Sequence, residues 1–179
     1  FGGALLLAGK PDAAIAQFRA ALSAKPEAIE ALYGLGNALA AGGKYDAAIA
    51  QYDAVLRLAP GHANAHFKRG NALLSLDRVP EAAASFANAV RLAPQDAEAH
   101  QNLGVACAQL ERWAEAQQEF ETALPLKPDY TEARRNLDQS LALLVVHIAQ
   151  DERRAFEPGG PPQCRQIGHA VDVTVGIGP

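Results

Sequence analysis

Small and apolar residues recur along this chain with a fixed period of 34 positions. When repeats are counted from residues 29, 63 and 97, the eighth position is glycine, the twentieth alanine, the twenty-fourth aromatic and the thirty-second proline. These residues are Gly36, Gly70 and Gly104; Ala48, Ala82 and Ala116; Tyr52, Phe86 and Phe120; and Pro60, Pro94 and Pro128. A period of this length predicts an array of structural units, each packed on its neighbours.

Each period predicts two helices, A and B, separated by short turns. Helix A is expected at about residues 29–42, 63–76 and 97–110, and helix B at about 11–24, 45–58, 79–92 and 113–125. The repeat proline ends helix B because it lacks an N–H and restrains the preceding residue. Gly42 and Gly43 predict a turn from A to B, whereas Pro125 predicts that the last B helix ends early or kinks.

The small residues at the eighth and twentieth positions predict where helices A and B of one repeat cross at close range. The aromatic residue at the twenty-fourth position is expected to fill the gap between a repeat and its neighbour. Together these positions predict a core that consists of similar layers repeated along the array.

The array is expected to cover residues 1–154. Residues 1–28 fit the period from its seventh position and predict a truncated first repeat, followed by full repeats at 29–62, 63–96 and 97–130. Residues 131–154 predict a single capping helix, because Asp138 stands at the eighth position and Val145 replaces the turn glycine. Residues 155–179, rich in Gly and Pro, predict a flexible tail or the start of a further domain with a short strand at 171–175.

The capping helix carries more apolar side chains than one helix face can bury. They are Leu143, Leu144, Val145, Val146 and Ile148. We therefore expect some of them to be exposed, and either the tail or missing chain covers them or they provide a contact for self-association.

Composition narrows the functional classes. A net charge of −4 with dispersed basic residues argues against a nucleic-acid partner. The longest apolar run, residues 141–149, contains His147 and is far shorter than the roughly 20 residues of a membrane-spanning helix. The chain has no Met and opens with Phe-Gly-Gly, which predicts an internal fragment, and its cysteines, Cys107 and Cys164, predict no disulfide framework, so the compartment stays open.

Candidate catalytic chemistry is sparse. His62 and His66 are four residues apart, a spacing that can bind a metal, but no Cys or carboxylate completes the set, and His100 repeats the His66 position. We interpret His66, His100 and Cys107 as packing residues. The sequence contains no phosphate-binding loop and no nucleophile elbow, so we expect no enzyme activity and no cofactor.

The 34-residue pattern resembles the tetratricopeptide repeat over about residues 1–144. This resemblance implies an all-α solenoid, a right-handed superhelix of antiparallel helix pairs, whose concave A-helix surface binds a protein or peptide. The candidate peptide-binding residues are Tyr33, Asn37, Asn64, Phe67, Lys68, Asn71, Gln101, Asn102, Arg135 and Asn136. The asparagines either pair with a peptide backbone, with Tyr33 and Phe67 as apolar anchors, or are solvated or bonded between repeats.

Two varieties of the family differ at these positions. Chaperone-binding members clamp a terminal carboxylate with a lysine at the fifth position, where this chain has Tyr33, Phe67 and Gln101. Residues 36–39 and 69–73 are similar to arrays in bacterial relatives of O-linked N-acetylglucosamine transferase. That likeness implies, as an alternative to a general interaction scaffold, a substrate-recruiting array that precedes a glycosyltransferase domain.

Overall fold

The computed structural model describes the backbone of residues 2–156 and the side chains of residues 2–150 apart from Leu7. The sequence predictions for residues 157–179, including the strand, lie outside the described residues. The helices are α1 (Gly2–Leu7), α2 (Pro11–Ala24), α3 (Ile29–Ala41), α4 (Tyr45–Leu58), α5 (Ala63–Leu74), α6 (Val79–Leu92), α7 (Ala97–Gln109), α8 (Trp113–Leu126) and α9 (Thr131–Phe156). No strand interrupts residues 2–156, so the all-α prediction is confirmed there.

The observed helix bounds lie within two residues of the predicted ones. The B helices α2, α4 and α6 begin and end as predicted, whereas the A helix α5 ends at Leu74, two residues before the predicted end at 76. An early end of α8 at Pro125 was a wrong expectation, because the helix continues to Leu126. Pro125 lies in the last turn, where the Lys127 N–H still donates to the Ala123 carbonyl at 3.0 Å.

Each turn from an A helix to a B helix contains one residue in the left-handed backbone conformation. These residues are Gly9, Gly43, Asp77 and Glu111, with φ between 57° and 71°. In the second repeat the Gly43 N–H donates to the Ala40 carbonyl at 2.9 Å and the Lys44 N–H to the Leu39 carbonyl at 2.9 Å. The same pair of bonds recurs in the other three turns. This is the Schellman arrangement, in which a left-handed residue satisfies the last carbonyls of a helix.

We expect Glu111→Gly to raise the free energy of unfolding by about 0.5–1 kcal/mol. Glutamate has a Cβ that strains the left-handed conformation, and glycine has none, although glycine loses more backbone entropy on folding. Urea denaturation of the variant measures the change. Gly43→Ala is the matched opposite substitution and should destabilise, and a Glu111→Gly variant less stable than the original would contradict the strain argument.

Helix α9 has no such turn. At the turn position it carries Val145, and the helix continues without interruption from Thr131 to Phe156. The predicted continuation to about residue 154 is therefore confirmed. A β-branched residue is a poor candidate for the left-handed conformation, which explains why the helix does not reverse direction here.

The core is built from the contact between the eighth and twenty-fourth positions of each repeat. A Cβ atom at Gly70 would lie 2.6 Å from a ring carbon of Phe86. A Cβ atom at Gly36 would lie at the same distance from Tyr52, and one at Gly104 from Phe120. All three rings are buried. The aromatic side chain therefore covers the glycine of its own repeat, a contact that the sequence analysis did not predict. Phe18 also lies against Gly34 of the following repeat.

The third repeat replaces an apolar contact with a polar one. At its seventh position, where Leu35 and Leu103 are buried in the neighbouring repeats, it carries Arg69. The guanidinium donates from Nε to Asp53 Oδ1 on α4 at 2.6 Å and from Nη1 to Ser85 Oγ on α6 at 2.6 Å. Arg69 thus connects three consecutive helices.

The chain divides into two units, Phe1–Leu141 and Ala142–Pro179, with the boundary inside α9. The first unit is an α-helical repeat solenoid that contains the core described above. In the second unit Leu143, Val145, Val146 and Ile148 are exposed. This agrees with the prediction that α9 carries more apolar side chains than one helix face can bury. Among the described helices, none has the length and apolar character that a membrane span requires.

Candidate functional site

The candidate residues lie on one series of elements, α3, α5, α7 and the first part of α9. We call the surface that carries their second, fifth, sixth and ninth positions the A-helix face. Three candidates on it are exposed (Asn64, Lys68, Arg135), six are half-buried (Tyr33, Asn37, Phe67, Asn71, Asn102, Asn136) and Gln101 is buried. The face therefore combines solvent-accessible polar groups with side chains that contribute to the core.

The fifth-position aromatics pack against the core aromatics of their own repeats. The ring centroids of Tyr33 and Tyr52 are 6.1 Å apart, and those of Phe67 and Phe86 are 5.8 Å apart with the rings near edge-on. Tyr33 also lies 5.1 Å from the His62 ring. Such pairs stabilise the fold. Tyr33 and Phe67 consequently offer one side of each ring to the fold and only the remaining surface to a ligand.

Two asparagines at the ninth position are oriented by hydrogen bonds. The Tyr52 hydroxyl donates to Asn37 Oδ1 at 2.9 Å, and Asn102 Nδ2 donates to Asn71 Oδ1 at 2.9 Å. The second bond joins neighbouring A helices, α5 and α7. The predicted alternative of hydrogen bonds between repeats therefore applies to Asn71 and Asn102, whereas Asn37 bonds within its own repeat. The amide N–H groups of Asn37 and Asn71 can still donate.

Burial raises the pKa values of the two tyrosines beside Asn37, Tyr33 and Tyr52. It raises the pKa of Tyr52 strongly, and the nearby Tyr33 raises it further. Burial also raises the pKa of Tyr33, against a smaller lowering by a hydrogen bond from Asn37. Both hydroxyls therefore keep their protons at neutral pH, and Tyr52 remains a donor to Asn37.

A cleft of about 420 Å³ lies between α3 and α5. Its polar border consists of Asn37, Tyr45, Tyr52, Lys68, Asn71 and Ser75, and its apolar lining of Ala40, Ala41 and Ala72. The alanines leave room between the helices that larger side chains would occupy. The volume falls within the range of small ligand sites, roughly 300–1,000 Å³.

Sequence reasoning missed two polar residues of this cleft, Tyr45 and Tyr52. For Tyr52 a signal existed, since the twenty-fourth position is phenylalanine in the first, third and fourth repeats and tyrosine in the second. A phenol at a core position needs a partner for its hydroxyl. That requirement pointed to a polar neighbour, which is Asn37.

Gln101 occupies the fifth position in the fourth repeat, where the two preceding repeats carry aromatic rings. It is 3% exposed, and its Oε1 atom lacks a hydrogen-bond partner among the described residues. A buried carbonyl without a partner is costly, and native proteins contain few of them. On α7 the A-helix face therefore contains a buried carbonyl oxygen without a hydrogen-bond partner among the described residues.

His66, His100 and Cys107 have structural roles in the described part of the chain. The rings of His66 and His100 bond through Nε2 to the Pro60 and Pro94 carbonyls at 3.0 and 3.1 Å, and His100 Nδ1 lies 2.6 Å from Glu119 Oε2. Within the described residues no three His, Cys, Asp or Glu side chains form a potential metal group. Cys107 is buried, and burial raises the pKa of its thiol, so it is a poor nucleophile.

Comparison with known proteins agrees with this architecture. The family model described as "Tetratricopeptide repeat" matches residues 2–63 and 67–131. Repeated helix pairs with small residues at the crossings define a helical-repeat interaction protein. The chain belongs to the tetratricopeptide-repeat family. A search of curated proteins gave no match.

Solved structures with the same fold include several repeat proteins. The crystal structure of MamA has a TM-score of 0.73 and 22% identity, and the alignment covers 87% of this chain and 96% of MamA. The first repeat domain of Spaghetti (RPAP3), bound to the HSP90 peptide SRMEEVD, has a TM-score of 0.63 and 27% identity over 65% of this chain and 93% of that domain. The second domain of human RPAP3, with the HSP70 peptide SGPTIEEVD, has a TM-score of 0.57 and 30% identity over 59% and 88%.

Proposed function

We propose that this chain is a non-enzymatic scaffold that holds an extended segment of a partner protein along its A-helix face. The observation that carries the proposal is the open cleft between α3 and α5, bordered by the amides of Asn37 and Asn71. The repeat domains of RPAP3 that resemble this chain are bound to short peptides. Their example supports a peptide-sized ligand here.

The chemistry of the face suits an extended chain. Its amides supply N–H groups for peptide carbonyls, and Gln101 adds a side-chain carbonyl that has no partner among the described residues. Hydrogen bonds to the main chain provide affinity, and pockets for side chains provide specificity. The exposed parts of Tyr33 and Phe67 are the apolar contacts nearest to the cleft.

The decisive experiment is to replace Asn71 and Asn102 together with alanine. Because these side chains bond to each other, removing both leaves no orphaned amide, so the array should keep its helicity. After the partner has been isolated by affinity capture with the intact array, its affinity for the double variant should fall by about 1–3 kcal/mol, with little dependence on salt. Isothermal titration at two ionic strengths measures both quantities.

Asn88→Ala is the matched control, since Asn88 lies on the B helix α6 and bonds to the Ala84 carbonyl of its own helix. It should leave partner affinity unchanged. Full affinity in the Asn71/Asn102 variant, together with a loss in B-helix variants, would place the partner on the other surface and overturn the proposal.

A further inference from the structure

The cleft between α3 and α5 presents amide N–H groups of Asn37 and Asn71 at its border. Both amide oxygens at its border already accept bonds, from Tyr52 and from Asn102. Toward the described residues, Asn71 keeps both hydrogens of its amide nitrogen free, and Asn37 keeps the one that does not face the Tyr33 hydroxyl. The internal hydrogen bonds therefore orient the amide N–H groups as the available ends.

A positive charge stands at the same border. Lys68 is exposed, and its Nζ lies 5.5 Å from the centroid of the Phe67 ring. Among the described residues it forms no ion pair, whereas Lys44, Arg69, Arg78 and Arg112 each pair with a carboxylate. The ammonium is therefore available to an external anion beside the two amides.

This combination favours a particular ligand group. A peptide carbonyl could accept the amide N–H groups, but it carries no charge to match the ammonium of Lys68. A carboxylate only accepts, and it can receive the amide N–H groups and the ammonium at once. Bonds to a charged group are the stronger ones, which makes a carboxylate the best match to the cleft.

We propose that the cleft binds the side-chain carboxylate of an internal aspartate or glutamate in the partner segment. The proposal rests on the scaffold function above and specifies the ligand at one point of the same face. An acidic residue at a chain terminus would bring a second negative charge, for which the cleft has only Lys68 among its lining residues. An internal residue also allows the segment to continue past the cleft towards Asn102 on α7.

The test uses two libraries of random decapeptides, displayed as arrays and probed with the purified chain. One library is acetylated at the N-terminus and amidated at the C-terminus, and the other has free C-termini. Binders from the capped library should be enriched in one internal Asp or Glu. Changing that residue to the amide should weaken binding about tenfold, which corresponds to roughly 1.4 kcal/mol.

Lys68→Gln should cause the same tenfold loss for acidic peptides and no further loss for their amide versions, with the effect shrinking at high salt. Arg57→Gln removes an equal charge from an exposed site on the B helix α4 and should have no effect. Binders that carry acids only at a free C-terminus would overturn the internal site. Binders without acidic preference would overturn the carboxylate but leave the scaffold function standing, whereas no binders in either library would count against both.

Discussion

Replacing Gly70 with leucine should lower the free energy of unfolding by about 1–3 kcal/mol, because it overpacks the crossing of α5 and α6. Even a Cβ at this position would lie 2.6 Å from a carbon of the Phe86 ring, which is fully buried, so the ring or the helices must shift. Chemical denaturation followed by circular dichroism measures the loss. Lys68→Leu adds the same side chain on the same helix at an exposed position and should change stability by less than about 0.5 kcal/mol.

A double variant makes this prediction sharper. Phe86→Ala alone should cost about 3–5 kcal/mol, since it removes a buried ring and leaves a cavity. When Phe86→Ala is combined with Gly70→Leu, the new leucine can occupy part of that cavity. The loss of stability in the double variant should therefore be clearly smaller than the sum of the two single losses. Additive losses would mean that the ring and the glycine do not share one space.

Replacing Arg69 with alanine should destabilise the array by about 1–3 kcal/mol. The variant leaves the Asp53 carboxylate and the buried Ser85 hydroxyl without the guanidinium that bonds to both. Arg69→Leu should cost less, because leucine is the residue that the neighbouring repeats carry at this position and it fills more of the vacated volume than alanine does. The comparison is made by urea denaturation of both variants.

The matched control for the ion pair is Asp53→Asn, which keeps the shape of the acceptor but removes its charge. Its cost should be smaller than that of Arg69→Ala, because the guanidinium still bonds to Ser85. If Arg69→Leu proves as damaging as Arg69→Ala, the stability at this position depends on the polar bonds rather than on filled volume, contrary to our expectation.

The fold could be predicted from the sequence because each repeat carries the same residue types at the same positions. Proline at the thirty-second position and a small residue at the eighth fix the ends and the crossing of the helices, and α2, α4 and α6 accordingly begin and end as predicted. Val145 at the turn position likewise predicted that helix α9 continues without interruption. The helix ends and crossings depend on local backbone chemistry, so the repeat period alone is enough to predict them.

The candidate site was only partly predictable. The period identified which residues belong to the A-helix face, but burial and bonding there depend on neighbours in other repeats. Gln101 is buried although its position was expected on an accessible surface, and Asn71 bonds to Asn102, 31 residues away. The connection of Arg69 to Asp53 and Ser85 was not predictable for the same reason, since both partners lie on other helices.

The hydrogen bond from Tyr52 to Asn37 has a consequence for how a ligand is aligned. In an array with identical inner surfaces, a bound segment could shift by one repeat and find equivalent contacts. The equivalent of Tyr52 is Phe86 in the third repeat and Phe120 in the fourth, and neither can fix an amide. Asn71 is held instead by a partner from the following repeat. Each step along the face thus presents a different set of donors, so we expect a segment bound there to have one preferred alignment.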